Sequence, residues 1–297
     1  MDLAQVVKWS VAASLLLMVF ALGLRATFAD ATSLFRDVFR PPHRLLRAVF
    51  AMNVAVPVVA VAVAMLFELP QAVRIALLAM AVSPVPPILP GRQLKAGGDP
   101  GFVYGLLVAV SIAAVVVVPA SVEVLGWVFR REVHLAPDVV ARPIAISILA
   151  PLFAGLVVRR LFPVAAAKIA PWSARAGSIL LLLGASFILF QAWPAIRSLL
   201  GSGAIIAFTG MALASLALGH AFGGADPRDR TVLGIASLQR HPGIALAIAH
   251  VNVPDNRLAP GAILLYLVIS ILVATVYASI RVRSLRRTAA QETSTGP

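Results

Sequence analysis

Runs of apolar residues dominate the chain, and each ends in a short polar connection. Nine of them reach the length of about 20 mostly apolar residues that a membrane-crossing helix needs. They lie at roughly 6–27, 46–67, 71–90, 101–128, 140–161, 176–194, 202–222, 231–251 and 260–280. The connections are too short to hold an inserted soluble domain. The stretch from Arg281 to Pro297 is polar and reads as a disordered tail. The first run is too long for a secretory leader, and no clear small-residue cleavage motif follows Leu24, so it reads as a retained helix.

Composition agrees with this pattern. Of the 297 residues, 60% are hydrophobic and 12% charged, with a mean hydropathy of +0.95. Soluble domains are about 25% charged, so a soluble or disordered chain is excluded. Cysteine is absent, which removes disulfides, a thiol nucleophile and a Cys-based metal site.

The net charge of +13 is spread over the connections rather than gathered on one patch with interleaved aromatics. It therefore reads as membrane orientation, not as a nucleic-acid surface. Nine crossings place Arg25, Arg36, Arg40, Arg44, Arg47, Arg92, Lys95, Arg159, Arg160, Lys168, Arg175, Arg228, Arg230, Arg281, Arg283, Arg286 and Arg287 on one side. Lys8, Arg74, Arg130, Arg131, Arg142, Arg197 and Arg257 fall on the other. The positive-inside rule then puts the N-terminus outside and the C-terminus in the cytoplasm of a multi-pass inner-membrane protein.

Two of the runs are interrupted. The third holds Pro84, Pro86, Pro87 and Pro90 within seven residues. Each proline removes a backbone donor and clashes with the carbonyl four residues back. A loop beginning at Ser83 would leave too few apolar residues before it to cross, so the expectation is irregular backbone at membrane depth, inside protein or beside a cavity. The eighth run carries Gln239-Arg240-His241-Pro242-Gly243 at its centre. A basic residue there costs about 2.5–3.5 kcal/mol on insertion scales. A loop end with Arg240 solvated is the plainer reading, but it shortens the span to about half the usual length and spoils the alternation of charged connections.

The two interruptions fall in the third helix of two four-helix sets, one before and one after the fifth helix. The sets have opposite topology. Disrupted helices at matching places in inverted repeats mark a secondary transporter's binding site. The expected fold is therefore an all-α integral membrane protein of nine helices, with two inverted repeats and a pair of crossed discontinuous helices. It forms one transmembrane domain over 1–280, with repeats at about 6–128 and 140–280 and a cytoplasmic tail at 281–297.

The candidate substrate- or ion-binding residues are Asn53, Ser83, Gln239, Arg240 and His241. Arg240 can hold an anion through a bidentate contact, stand as a fixed cation, or pair with a helix C-terminus. His241 can carry a proton or bond a freed carbonyl as a neutral ring. Asn53 and Gln239 are amides able to meet an ion or a polar substrate. Ser83 and Ser237 can bond back to their own helices instead. Glu123 reads as solvated, Trp9, Trp127, Trp172 and Trp193 as interface residues, and Gly97-Gly98-Asp99-Pro100 as a turn.

These residues resemble the bile acid:sodium symporter family. Met18-Val19-Phe20-Ala21-Leu22-Gly23-Leu24 is similar to that family's Met-x-Phe-x-x-Gly-Leu helix. Met52 to Pro57 resembles its next helix, with an amide shortly before a proline. Ser83-Pro84 resembles the start of the first crossing helix, and Gln239 with Gly243-Ile244-Ala245-Leu246-Ala247 the second. The resemblance implies a panel domain and a core domain, the core holding two unwound helices that cross, with nine or ten helices in all. It also implies a sodium cofactor. The positions that resemblance assigns to sodium hold Val85, Pro86, Leu89 and Pro90 in place of Gly-Gly and Ser-Asn, Ile235 in place of a glutamate, and Arg240 in place of an asparagine. The ligands for Na+ are thus missing, which counts against sodium coupling.

The reading is a secondary transporter for a small organic anion or metabolite, working by alternating access, with the lipid bilayer and a small molecule as its partners and no nucleic acid. A carrier of the auxin-efflux type, which shares a crossed architecture, and a transporter-like sensor stay open as alternatives. An enzyme is disfavoured, since the chain has no His-Glu-x-x-His, no Gly-x-Ser-x-Gly and no clustered intramembrane acids.

Overall fold

The computed structural model describes residues 2–36 and 43–294, and these form helices without a strand. Arg40 and the last three residues lie outside the described residues. The chain opens with α1 (Leu3–Gly23). Two one-turn helices follow, α2 (Phe28–Ala31) and α3 (Ser33–Arg36); Thr27 and Asp30 close the start of α2 with a reciprocal pair of hydrogen bonds. Next, α4 (Arg44–Phe50) passes through a π-helical stretch, Ala51–Ala55, into α5 (Val56–Leu66). The third expected span is split into α6 (Gln71–Val82) and α7 (Leu89–Lys95). A turn at Ala96–Asp99 leads to α8 (Pro100–Phe129); there Gly97 takes φ 87°, and Asp99 caps the helix by accepting from Phe102 N–H.

The second half has α9 (Pro137–Ile144) and α10 (Ala150–Leu161) joined by a second π-helical stretch, Ala145–Leu149. After them come α11 (Pro163–Leu199), α12 (Ala204–Phe222), α13 (Pro227–Leu238), α14 (Pro242–Asn252) and α15 (Ala259–Ser294). By length and composition, eight helical segments among the described residues can cross a membrane. The run at 71–90 is not a ninth continuous one. Its α6 has 12 residues and rises only about 18 Å, short of a hydrocarbon core of about 30 Å.

Two expected boundaries move. Residues 176–194 belong to a helix of 37 residues, α11. Trp172 and Trp193 are both exposed on it, and the 21 residue steps from one to the other rise ~31 Å, the thickness of the hydrocarbon core. The tail from Arg281 is not disordered: α15 continues to Ser294. Its Arg, Ala, Gln and Glu residues are good helix formers, so polarity there removes membrane affinity without removing the helix.

The packing gathers the helices into two groups. One has α1 against α10 and α11. Gly23 and Gly155 let α1 and α10 touch along their backbones: a Cβ on Gly155 would stand 2.5 Å from the Phe20 carbonyl oxygen and 2.8 Å from Gly23 Cα. The other group holds α5, α6, α8, α12, α13, α14 and α15. There α12 lies on α13 so closely that a Cβ on Gly219 would collide with the Leu233 carbonyl. The second group contains both interruptions.

Candidate functional site

Both interruptions begin alike. At the ends of α6 and α13 the backbone turns to extended conformation, Ser83 at φ −70°, ψ 150° and Gln239 at φ −96°, ψ 124°. Ser83 precedes a proline, which disfavours helical geometry. They end differently from the expectation. Pro90 is not part of the break but sits in the first turn of α7, and Pro242 with Gly243 opens α14. Proline is tolerated in a first turn, where its missing N–H would have no partner. The unwound segments are therefore 83–88 and 239–241.

These segments meet. The His241 N–H donates to the Pro84 carbonyl at 2.8 Å. Gln93 on α7 adds a second tie by donating to the Val232 carbonyl of α13 at 2.8 Å.

Arg240 lies in the crossing, with 1% of its surface exposed. Its Nη1 donates to the Ser83 carbonyl at 3.1 Å and its Nη2 to the Met52 carbonyl. Both acceptors are bare for the same reason. In a continuous helix Ser83 would accept from residue 87, and residue 87 is proline. In the π-helical stretch Val56 N–H bonds Ala51, so Met52 would have to accept from residue 57, which is also proline. The guanidinium also faces the carbonyl end of α6, the negative end of its dipole.

The other candidates fall around it. The Ser83 hydroxyl bonds back to the Ala79 carbonyl at 2.7 Å, so Ser83 serves the crossing through its carbonyl. Ser237 makes no such back-bond; its buried hydroxyl has no partner. His241 is the N-cap of α14, where Nδ1 accepts from Ile244 N–H at 3.4 Å. Gln239 is buried with Oε1 unpaired, and Asn53, within the first π-helical stretch, has Nδ2 unpaired. Arg240 Nε is also without an acceptor. Glu123 is exposed and 3.6 Å from His134.

Two cavities flank the crossing. One, of about 430 Å³, lies between α6, α8 and α14 and has Arg74 and Arg131 among apolar walls such as Leu78 and Leu125. The other, of about 410 Å³, lies between α7, α13 and α15 and carries Arg92, Lys95 and Arg283. They sit at opposite ends of the group. The first takes Val122 to Phe129 at the end of α8, while the second takes Arg92 to Ala96, just before α8 begins. That helix is about 45 Å long. On the first halves of the broken helices the lining reaches Ala79 in one cavity and Ile235 in the other, each one helical turn before its break. Among the described residues that line them, none is acidic.

Sequence reading had placed these five basic residues only as loop charges. It also passed over Asp229, which is buried in the first turn of α13 and forms an ion pair with Arg44 at 2.8 Å. The only signal for Asp229 was its place in the first turn of a helix, three residues after the capping Asp226 and just ahead of an apolar run.

Among the described residues no three His, Cys, Asp or Glu side chains gather as ligands. The Ser83 and Met52 carbonyls, oxygens of the kind a cation binds, already accept from Arg240.

No curated protein matches the chain. The model of the family described as "Sodium Bile acid symporter family" matches residues 12–193. That stretch takes in the later part of α1 and the first unwound segment and stops before the second. It covers more than half of the chain, which therefore belongs to the sodium bile acid symporter family, a family of membrane transporters.

Proposed function

We propose that the protein is a secondary transporter for a small organic anion, working by alternating access around the crossing of 83–88 and 239–241. The observation that carries the anionic reading is the charge of the two cavities: among the described residues, every charged side chain lining them is basic. Basic walls in a low-dielectric surround raise the local concentration of anions and repel cations.

Several features support the rest. The outer bounds of the cavities are related by exchange: the first half of one broken helix, the second half of the other and the long helix that follows make up each. That relation is what inverted repeats produce, with nine crossing segments once α6 and α7 are counted together. Arg240 Nε and Asn53 Nδ2 are buried donors without acceptors, which supports a role in meeting an anionic group that enters the crossing. The basic connections favour an N-terminus outside and a C-terminus in the cytoplasm of the inner membrane.

Uptake by proteoliposomes, screened over small organic carboxylates, sulfonates and inorganic ions with sodium or choline outside, tests this. The expected result is saturable uptake of an organic anion that survives replacement of sodium by choline and is lost in Arg240→Ala. Transport of cations, or a strict sodium requirement, overturns it.

A further inference from the structure

We propose that Arg240 is the permanent cation of a carbonyl-lined cation site, tethered to the chain where a free monovalent ion would otherwise have to sit. This rests on the transport reading only for its consequence, a carrier whose crossing is charged in every state. The site itself is argued from geometry.

Two carbonyl oxygens converge on the guanidinium from different helices, Ser83 at the end of α6 and Met52 within the first π-helical stretch. Each lacks a helical donor because a proline stands where the N–H should be, Pro87 for one and Pro57 for the other. Bare carbonyls buried away from water destabilise a fold unless something positive meets them. Neutral side chains of the same surroundings do not do so: Ser83 turns its hydroxyl to Ala79, and Asn53 leaves its amide nitrogen unpaired. Nor does a carboxylate neutralise the arginine, since the ion pairs among the described residues lie elsewhere, at Arg44–Asp229 and His134–Glu123. The hydrogen bonds of the guanidinium go to peptide carbonyls, oxygens that can also hold alkali-metal ions. The guanidinium is also hard to discharge, so the site stays filled at any physiological pH.

The arrangement spans three pieces of chain: the π-helical stretch, the first unwound segment and the second. Removing the side chain would leave a cavity bounded by the same oxygens. That cavity should accept a small monovalent cation from solution.

The test is the melting temperature of the purified protein in detergent, which needs no substrate. Arg240→Ala should melt below the wild type, and guanidinium chloride at about 1–10 mM should raise it by roughly 3 °C, the shift that ligand binding of moderate strength gives a chain of this size. Sodium chloride, tested against choline chloride, should raise it in part, and neither salt should move the wild type. If Arg240→Ala proves too unstable to purify, Pro57→Ala combined with Arg240→Ala supplies the second reading. Restoring the N–H at 57 closes the Met52 carbonyl, so the pair should be more stable than Arg240→Ala expressed and solubilised under the same conditions. An Arg240→Ala protein that melts like the wild type overturns the proposal. So does one that is destabilised yet indifferent to both cations, or a double variant no better than the single one. Cation rescue of melting together with absent anion uptake would remove the transport reading and leave this one standing.

Discussion

A single side chain, Arg240, joins both halves of the structure, and what it touches is backbone. Substitutions of its neighbours' side chains therefore say little about it, whereas prolines two helices away matter. Arg240 was conspicuous in the sequence as a charge in an apolar run; its acceptors were not, because carbonyls carry no letter. The clue was the spacing, proline five residues after Met52 and four after Ser83. A second buried charge follows side-chain logic. Asp229 has 3% of its surface exposed and pairs with Arg44, while its Oδ1 has no partner. Arg44→Ala would leave that carboxylate buried and alone, which should cost about 2 kcal/mol, less than for a wholly buried pair because Arg44 is one-third exposed. Thermal melting checks this, and Arg44→Ala with Asp229→Ala should recover part of the loss.

At the level of helices, interruptions were legible and their limits were not. Four prolines in seven residues forbid a continuous helix, but Pro90 and Pro242 begin helices rather than break them. A proline's letter is the same in both roles; only the chain before it decides. The tail failed for a related reason, since polar composition excludes burial and not helicity. Close helix contacts were also hidden, because a glycine reads the same in a turn and in an interface. Gly155→Leu tests the contact of α1 with α10. Its side chain would collide with the Phe20 carbonyl and Gly23, both backbone and unable to swing aside. Overpacking of this kind costs about 1–3 kcal/mol, so the variant should melt earlier while Gly210→Leu, which meets nothing within 4 Å, should not.

For the molecule as a whole, the alternation of basic connections predicts its posture in the membrane. A reporter fused after Pro297 should read cytoplasmic, and one fused before Met1 should read periplasmic; the opposite pair of readings would invert the assignment of the two cavities. The arginines that line those cavities carried this orientation signal in the sequence, but their second role needed coordinates, since it depends on which helix ends come together. One turn of helix separates each cavity from the crossing. Water filling both would bring the bulk potential of either compartment to within about one helical turn, ~5 Å along the helix, of each break. The voltage across the bilayer then falls over a thin septum instead of the full hydrocarbon thickness. Any unbalanced charge stepping across it would feel nearly all of that voltage, about 2.3 kcal/mol for 100 mV, and its flux would show up as an electrical current.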